Sequence, residues 1–331
     1  MLHRPLSDPV QKPSAAVPRP LPQSPLTRRR PRGVLGLAAF TLLLGICFGK
    51  PLFDLAQFAC HSELYSHTLL IPIVSAYLIW LKRRDLTPIG EPAPRWAMLP
   101  FLGGVALLAG YWFFRRSGWR PGQNDYLAAM ILALLLFALG AFLLLMGTRT
   151  LRALAFPIAF LIFIVPFPTI MEHWIENFFQ RGSAEAAYGL FKLSGMPVFR
   201  QGMAFQLPGF SLEVAPQCSG IHSSLVLLIT SLLAGHLLLR TPWPRAILVL
   251  AVIPLALVRN GLRICILGQL CVRLSPDWIN SDFHHHGGPL FFAASLVPFF
   301  LLLLFLRKRE TQASGVSTAP FSSVCWRKSE D

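Results

Sequence analysis

Apolar residues fall in eight runs along the chain, and polar segments separate these runs. The runs cover roughly residues 34–56, 65–81, 96–114, 125–146, 150–168, 219–239, 246–270 and 288–306. About 20 apolar residues in a helix cross the hydrocarbon core of a bilayer, and these runs are near that length. The strict alternation of a transmembrane β-barrel is absent. The pattern therefore predicts an all-α polytopic membrane protein with about eight transmembrane helices.

The segment 169–218, before the sixth run, has an internal pattern of its own. Its apolar residues between 170 and 179 recur at helical spacing, which predicts an amphipathic helix lying in the membrane interface. Residues 184–194 favour a second short helix that ends at Gly195. Alternating residues on both sides of Pro208-Gly209 predict a β-hairpin. We expect an ordered extracytoplasmic loop that leads directly into the sixth span.

Composition agrees with a membrane protein. Of the 331 residues, 54% are hydrophobic and 14% are charged, whereas a soluble domain carries about 25% charged residues. The net charge of +15 raises the question of nucleic-acid binding. However, 20 of the 30 lysines and arginines lie in the two terminal segments and in alternate loops, which is the positive-inside pattern of a membrane protein. No nucleic-acid partner is expected.

The same rule gives an orientation and three regions. Both termini are predicted to be cytoplasmic, and segment 169–218 is predicted to face outward. Residues 1–33 are rich in proline and arginine, and we interpret them as a disordered basic cytoplasmic arm. Residues 34–306 form the membrane domain, and 307–331 form a cytoplasmic tail. Arg115, Arg116 and Arg120 make an outside cluster that the rule does not favour.

Cys218 is the first candidate functional residue. It stands in Pro216-Gln217-Cys218-Ser219-Gly220, where a polar segment meets the sixth apolar run. Ser219 and Ser223 can cap the first helical turn, and a helix N-terminus favours the thiolate form of cysteine. The alternative is a small structural residue at a helix start. The six cysteines show no CxxC pair or zinc spacing, and a Cys60–Cys271 disulfide requires both residues to lie outside.

Two arginines in the seventh run are the second candidate. Arg259 and Arg263 are four residues apart and share a helix face, with Asn260 beside them. Charged groups inside a span are costly and usually face a polar cavity, so they indicate function. The alternative is an anchoring or ion-pairing role.

The third candidate is the histidine run in the last outside loop, His284, His285 and His286. Adjacent side chains splay apart, so three consecutive histidines do not converge on one ion. A single histidine acting as acid and base is the simpler interpretation, the alternative being a solvated loop. No metal and no other cofactor is expected. A thiol, a guanidinium and an imidazole on the same outer face would together suit acyl transfer.

Several segments resemble the exosortase/archaeosortase family of membrane cysteine transpeptidases, which act in PEP-CTERM-like protein sorting. The resemblance covers about residues 35–306. The most specific match is Leu207-Pro208-Gly209 followed by Cys218-Ser219-Gly220-Ile221. The other matching segments are Tyr65 to Trp80, Phe156-Pro157 to Pro168, Asn260-Gly261-Leu262-Arg263-Ile264, and His284 followed by Gly288.

The resemblance implies roles for individual residues. Cys218 matches the family's nucleophile, Arg263 its arginine, and His284 its acid–base histidine. His285 or His286 takes that role if the register shifts, because Pro289 replaces the family's aromatic residue. His222 stands where many members carry arginine, and its role stays open. Arg259 is expected to line the cleft beside Asn260.

The resemblance also implies a function. Such enzymes cleave exported proteins at a C-terminal sorting signal, which consists of a short motif, a hydrophobic helix and a basic tail. The reaction passes through a thioester in the bacterial inner membrane and is linked to exopolysaccharide systems. The partners implied are these substrate proteins and the lipid bilayer. Two alternatives are a multi-span transporter or polysaccharide-export component without peptidase activity, and a non-enzymatic assembly factor.

Overall fold

The computed structural model describes residues 30–62, 64–83, 91–215, 219–275 and 288–313, and helices dominate them. The interpretations of the basic arm before residue 30 and of the tail after residue 313 lie outside the described residues. The helices are α1 Arg30–Cys47, α2 Gly49–His61, α3 Leu70–Lys82, α4 Pro94–Arg116, α5 Gln123–Ala153, α6 Ala155–Phe160, α7 Thr169–Leu193, α8 Ile221–Leu238, α9 Pro242–Leu250, α10 Val252–Arg273 and α11 Gly288–Ala313. Two 3₁₀ turns lie at Ser66–Leu69 and Leu161–Ile164.

The polytopic all-α membrane fold is confirmed. Within the described residues, five helices are long and apolar enough to cross a membrane: α4, α5, α8, α9 with α10, and α11. Two bent helix pairs raise that number to seven if each pair is one span, and Ser66–Lys82 is a shorter apolar helix. These five to seven candidate spans are fewer than the eight predicted. The shorter helix lies within the second predicted span, and the second bent pair includes α7, which belongs to the segment 169–218 that was predicted to face outward.

The first predicted span, 34–56, is not one straight helix. It is broken at Phe48, where α1 and α2 meet at a bend of 72°. Pro51 explains the position of the break. Proline has no N–H to donate, and its ring clashes with the carbonyl four residues earlier, which here belongs to Cys47.

The predicted span 150–168 is also not a single helix. α5 has a non-helical residue at Gly147, with φ of +77°, close to the predicted end of the fourth span at 146. The chain then continues through α6 and a 3₁₀ turn before becoming extended at Val165. Pro166 and Pro168 account for this ending, because the residue before a proline is pushed out of the helical region.

The amphipathic helix before the sixth span exists, but the prediction of two helices there is wrong. α7 runs unbroken from Thr169 to Leu193, bent by 92° from the preceding helical segment. Gly182 does not interrupt α7, and its missing side chain leaves room for a residue of α10. A Cβ at Gly182 would lie 2.7 Å from Leu257 of α10. The helix ends before Gly195, whose φ is +71°.

The predicted hairpin is confirmed and gains a third strand. β2 (Ala204–Leu207) and β3 (Phe210–Glu213) pair antiparallel around Pro208-Gly209, with Leu207 opposite Phe210. β1 (Phe199–Gln201) pairs with β2 on the other side, so the sheet order is β1-β2-β3. The inner face of the sheet joins a buried cluster with α7 and α10 that includes Phe191, Phe205 and Ile264.

α4 and α5 pack through two reciprocal glycine–phenylalanine contacts. A Cβ at Gly104 of α4 would lie 2.9 Å from the Phe137 ring of α5, and a Cβ at Gly140 of α5 would lie 2.9 Å from the Phe101 ring of α4. Small residues let membrane helices approach closely, which strengthens packing where lipid supplies no hydrophobic drive. These two helices, with α1 on α5, form one half of the molecule.

α10 is the centre of the other half and contacts α7, α8, α9 and α11. Two of its glycines, seven residues apart, face α7 and the sheet. A Cβ at Gly261 would lie 2.6 Å from Ala186 Cβ, and a Cβ at Gly268 would lie 2.6 Å from the Phe191 ring. This packing fixes the rotation of α10 and therefore the direction of its polar residues.

A hydrogen-bonded contact joins α11 to the turn between α8 and α9. The Glu310 carboxylate accepts hydrogen bonds from the backbone N–H groups of Arg240 and Thr241. Thr241 is the N-cap of α9, where a negative charge is favourable. The Cys60–Cys271 disulfide is not formed, since Cys60 is an exposed thiol and Cys271 a buried one.

Candidate functional site

The candidate site lies between the end of strand β3 and the start of α8. Gly220 is the N-cap of α8 and has a left-handed backbone, with φ of +76°. Its carbonyl accepts hydrogen bonds from the Ser224 N–H at 3.0 Å, Ser224 Oγ at 2.7 Å and Ser223 Oγ at 3.1 Å. Ser219 does not have the predicted capping role. Its Oγ is buried and has no hydrogen-bond partner among the described residues.

Arg259 of α10 holds this turn from the other side. Its Nη2 donates to the Gly220 carbonyl and to Ser224 Oγ, each at 3.4 Å. The residue is only 7% exposed, and its Nη1 has no hydrogen-bond partner among the described residues. A buried guanidinium normally pairs with an anion, because an unpaired buried charge is costly. Arg259 is therefore prepared to donate to a group that enters the site.

Asn260 of α10 packs against the Gly220 turn. A Cβ at Gly220 would lie 3.0 Å from Asn260 Cγ and 3.4 Å from Arg259 Nη2. Gly220 thus satisfies two requirements, a positive φ and a close helix approach. Gly220 and the Arg259-Asn260 pair of α10 are therefore parts of one contact.

Arg263 lies one helical turn beyond Arg259 and is half-buried. The two guanidinium groups interact electrostatically, and like charges repel. Two cations on one face of α10 create a positive potential near the Gly220 turn. Such a potential favours a thiolate, or an oxyanion that forms during acyl transfer.

Hydrogen bonds hold the segment before Cys218, as they hold the Gly220 turn after it. Gln180 of α7 is buried, and its Nε2 donates to the Val214 carbonyl at 2.6 Å. The Val214 N–H donates to the Met203 carbonyl and extends the sheet pairing by one residue. The stretch that contains Cys218 is thus bounded by two fixed points, Val214 and Gly220.

His67, at the 3₁₀ turn before α3, is another buried polar residue. It is 9% exposed, and its Nδ1 has no hydrogen-bond partner among the described residues. It interacts electrostatically with His222, in the first turn of α8. Sequence reasoning did not select His67. The available signal was an ionisable residue at the start of an apolar run, which is unusual in a membrane segment.

Polar contacts join the starts of α5 and α7 to each other. Tyr65 Oη donates to Glu172 Oε2 at 3.3 Å, and the Asn124 side chain donates to the same carboxylate. The Asp125 carboxylate accepts from the Thr169 N–H at 2.8 Å, at the N-terminus of α7. A carboxylate at this position compensates the positive end of the helix dipole.

The structure thus brings together four of the predicted site residues, Ser219, Gly220, Arg259 and Asn260. It places His222 within electrostatic range of His67, and Arg263 one turn beyond Arg259. Cys218 and the three histidines His284, His285 and His286 lie outside the described residues. Within the described ranges, no group of three or more His, Cys, Asp or Glu side chains is arranged to hold a metal ion.

The chain matches a known protein family over most of its length. The sequence model of the transmembrane exosortase family (Exosortase_EpsH) matches residues 57–301, from α2 to α11. Comparison with curated proteins and with solved structures gives no match. The matched region includes the Gly220 turn, α10 and the sheet that leads into the site. Because the match covers most of its length, the chain belongs to the transmembrane exosortase family.

Proposed function

We propose that this multi-pass membrane protein is a cysteine transpeptidase or peptidase, with Cys218 as nucleophile. The observation that carries the proposal is the buried Arg259, which binds the carbonyl of Gly220, two residues after Cys218, and has an unused Nη1. Membership of the exosortase family supports the same chemistry. A guanidinium with a free N–H beside a cysteine turn suits an acyl-transfer site.

The proposed reaction has two acyl transfers. The Cys218 thiolate attacks a backbone carbonyl of the substrate, and a tetrahedral oxyanion forms. Arg263, together with Arg259, stabilises this negative charge by donating hydrogen bonds. When the C–N bond breaks, a histidine protonates the leaving amine and the acyl group remains on sulfur as a thioester. His284 is our choice for this acid, with His285 and His286 as alternatives.

The second transfer releases the enzyme. A nucleophile, either an acceptor group or water, attacks the thioester carbonyl, and the histidine takes up its proton. Sulfur leaves as thiolate, so the starting state is restored. Asn260, Ser219 and Gly220 shape the turn that holds the nucleophile in this proposal. His222, which interacts electrostatically with His67, is proposed as a supporting residue near the reacting groups.

The proposed substrates are exported proteins with a C-terminal motif, hydrophobic helix and basic tail. The bilayer would position such a helix with its basic end inside and its motif at the outer interface, which lowers the entropic cost of alignment. In this proposal the chain lies in the bacterial inner membrane, with both termini in the cytoplasm and the site facing outward. Its link to exopolysaccharide sorting is part of the same proposal.

The test is processing of a reporter protein that carries such a C-terminal segment from the same genome. Cys218→Ala is expected to lower the cleavage rate at least about a thousandfold, since the nucleophile is lost. Arg259→Gln is expected to lower it about a hundredfold, because one oxyanion donor is lost. Cys47→Ala is the matched control, an exposed thiol away from the site. The membrane yield of each variant must equal that of the wild type.

The result that would overturn the proposal is cleavage by Cys218→Ala at the wild-type rate. A role without peptidase activity, in transport or polysaccharide export, would then be the better explanation. Mass spectrometry of the Cys218 peptide adds a direct measurement. It should detect a substrate thioester that hydroxylamine removes.

A further inference from the structure

A basic chamber lies between α2, α4 and α5, away from the Gly220 turn. Its volume is about 640 Å³, and its lining includes Lys50, Arg115, Arg120, Trp119 and Tyr126. These arginines belong to the cluster that the positive-inside rule does not favour for an outside loop. The positive-inside rule therefore does not account for these exposed cations.

The charge of the chamber is largely uncompensated. Lys50 pairs with Asp54 at 3.5 Å, but Arg115 and Arg120 form no ion pair with any carboxylate in the described part of the chain. The nearby Asp125 is already engaged. It accepts hydrogen bonds from the N–H and Oγ of Thr169, and from the Gly122 N–H. The chamber therefore suits an anionic ligand.

An apolar groove adjoins the chamber. Its volume is about 540 Å³, and it lies between α4, α5 and the segment 162–168 that leads to α7. The side chains that line it are mostly small or apolar, such as Ala106, Gly110 and Ala129. Tyr111 and Trp119 line both the basic chamber and the apolar groove, so the two spaces share a wall.

The volume of the groove determines which kind of ligand fits in it. A transmembrane helix about 10 Å across and 30 Å long fills more than about 2,000 Å³, several times the volume of the groove. A single acyl chain is thin enough. Tyrosine and tryptophan at the boundary are typical of the level where headgroups meet hydrocarbon. A phosphate in the chamber and a chain in the groove thus match one molecule.

We propose that the basic chamber and the apolar groove together bind one anionic phospholipid, with its phosphate held by Arg115 and Arg120 and an acyl chain along Gly110. The site lies at the end of the molecule where the starts of α5 and α7 are joined, through Asp125 and Thr169. It goes beyond the proposed peptidase function and does not depend on it.

The experiment uses the full chain in phosphatidylcholine vesicles with a small fraction of phosphatidylglycerol, spin-labelled on one acyl chain. Electron paramagnetic resonance measures the motionally restricted fraction, compared with labelled phosphatidylcholine. Wild-type protein is expected to prefer phosphatidylglycerol. Arg115→Gln with Arg120→Gln should lower that preference by about fivefold for each arginine removed.

A matched variant separates the effect of the chamber from that of general surface charge. Arg116→Gln removes an exposed arginine of the same cluster that does not line the chamber. It should keep the wild-type preference. An equal loss in Arg116→Gln, or no loss in the double variant, would overturn the proposal.

The groove is tested separately, because a free anion could also fill the chamber. A Cβ at Gly110 meets no atom within 4 Å, so Gly110→Leu should fill the groove without displacing the backbone. This variant should lose restricted lipid, whereas Gly45→Leu, at a similarly open glycine of α1, should not. If inorganic phosphate displaces the label and Gly110→Leu has no effect, the chamber binds free anions and the lipid proposal is wrong.

Discussion

At the scale of single residues, Gly220 determines the geometry of the candidate site. Its positive φ turns the chain into α8, and its missing side chain lets Asn260 and Arg259 approach. Either requirement alone would make glycine favourable. Together they connect the cysteine segment to α10 without an intervening side chain.

Gly220→Ala is therefore expected to destabilise the protein, and to lower the proposed activity, more than its backbone strain alone would. A left-handed backbone costs an ordinary residue about 1–2 kcal/mol, and here the new methyl also displaces Asn260. Gly209→Ala is the matched control, because Gly209 has a φ of +74° but open space around it. Thermal unfolding of both variants in detergent measures the stability change, and reporter cleavage measures activity. Equal losses in the two variants would show that the Asn260 contact is unimportant.

The site was partly predictable because rare polar residues stand out in apolar sequence. Arg259 and Asn260 were selected on that ground, whereas Ser219 and Gly220 were selected because they follow Cys218 at the start of the sixth apolar run. The hydrogen bond from Arg259 to the Gly220 carbonyl was not predictable, because it depends on how α10 is rotated. His67 was missed as a neighbour of His222, since the two are far apart in the sequence and no local pattern connects them.

At the scale of elements, the contact between α7 and α10 supports both the sheet and the Gly220 turn. Gly261 and Gly268 let the helices approach so closely that no methyl group fits between them. At Gly261 the opposing atoms include the Ala187 backbone nitrogen, at 2.9 Å from a built Cβ. Backbone atoms cannot rotate away, so the helices themselves would have to separate.

We expect Gly261→Ala to lower the free energy of unfolding by about 1–3 kcal/mol, the usual cost of overpacking. Gly189→Ala on the exposed side of α7 has open space and should be neutral or stabilising by up to about 1 kcal/mol, because alanine favours helix. Melting temperatures of the purified variants give the comparison. A stable Gly261→Ala protein with full activity would mean that the two helices can shift without harm.

Some of these elements could be predicted from sequence patterns, and others could not. The hairpin was predictable from alternation around Pro208-Gly209, whereas β1 has only three residues and no turn signal strong enough to select it. The prediction of two helices within residues 169–194 was wrong, because α7 continues through Gly182, where the missing side chain lets Leu257 of α10 pack closely. The bend at Phe48 was marked by Pro51, but an apolar run hides a bend since both parts remain apolar.

At the scale of the whole molecule, α5 is long enough to place its two ends on opposite sides of the membrane, where they can be labelled chemically. From Gln123 to the break at Gly147 it extends about 36 Å, which exceeds the hydrocarbon thickness of about 30 Å. Arg116 precedes this helix and Arg149 follows the break, and both side chains are exposed. They are suited to a test of the orientation that the positive-inside rule predicts.

In a variant whose native cysteines are replaced by serine, Arg116→Cys should react with a membrane-impermeant maleimide in intact cells. Arg149→Cys should react only after the inner membrane is opened, because the rule places it in the cytoplasm. Labelling of both positions in intact cells would show leakage, and the reverse pattern would invert the proposed orientation. The two variants are matched controls for each other, because each introduced cysteine replaces an exposed arginine.

The crossed contacts between α4 and α5 have a consequence for how relatives of this chain can diverge. Gly104 faces Phe137 and Gly140 faces Phe101, so a bulkier residue at either glycine position requires a smaller one at its opposing ring. Substitutions in this region should therefore be inherited as compensating pairs, and an alignment of the family would show positions 104 and 137, and 101 and 140, varying in concert.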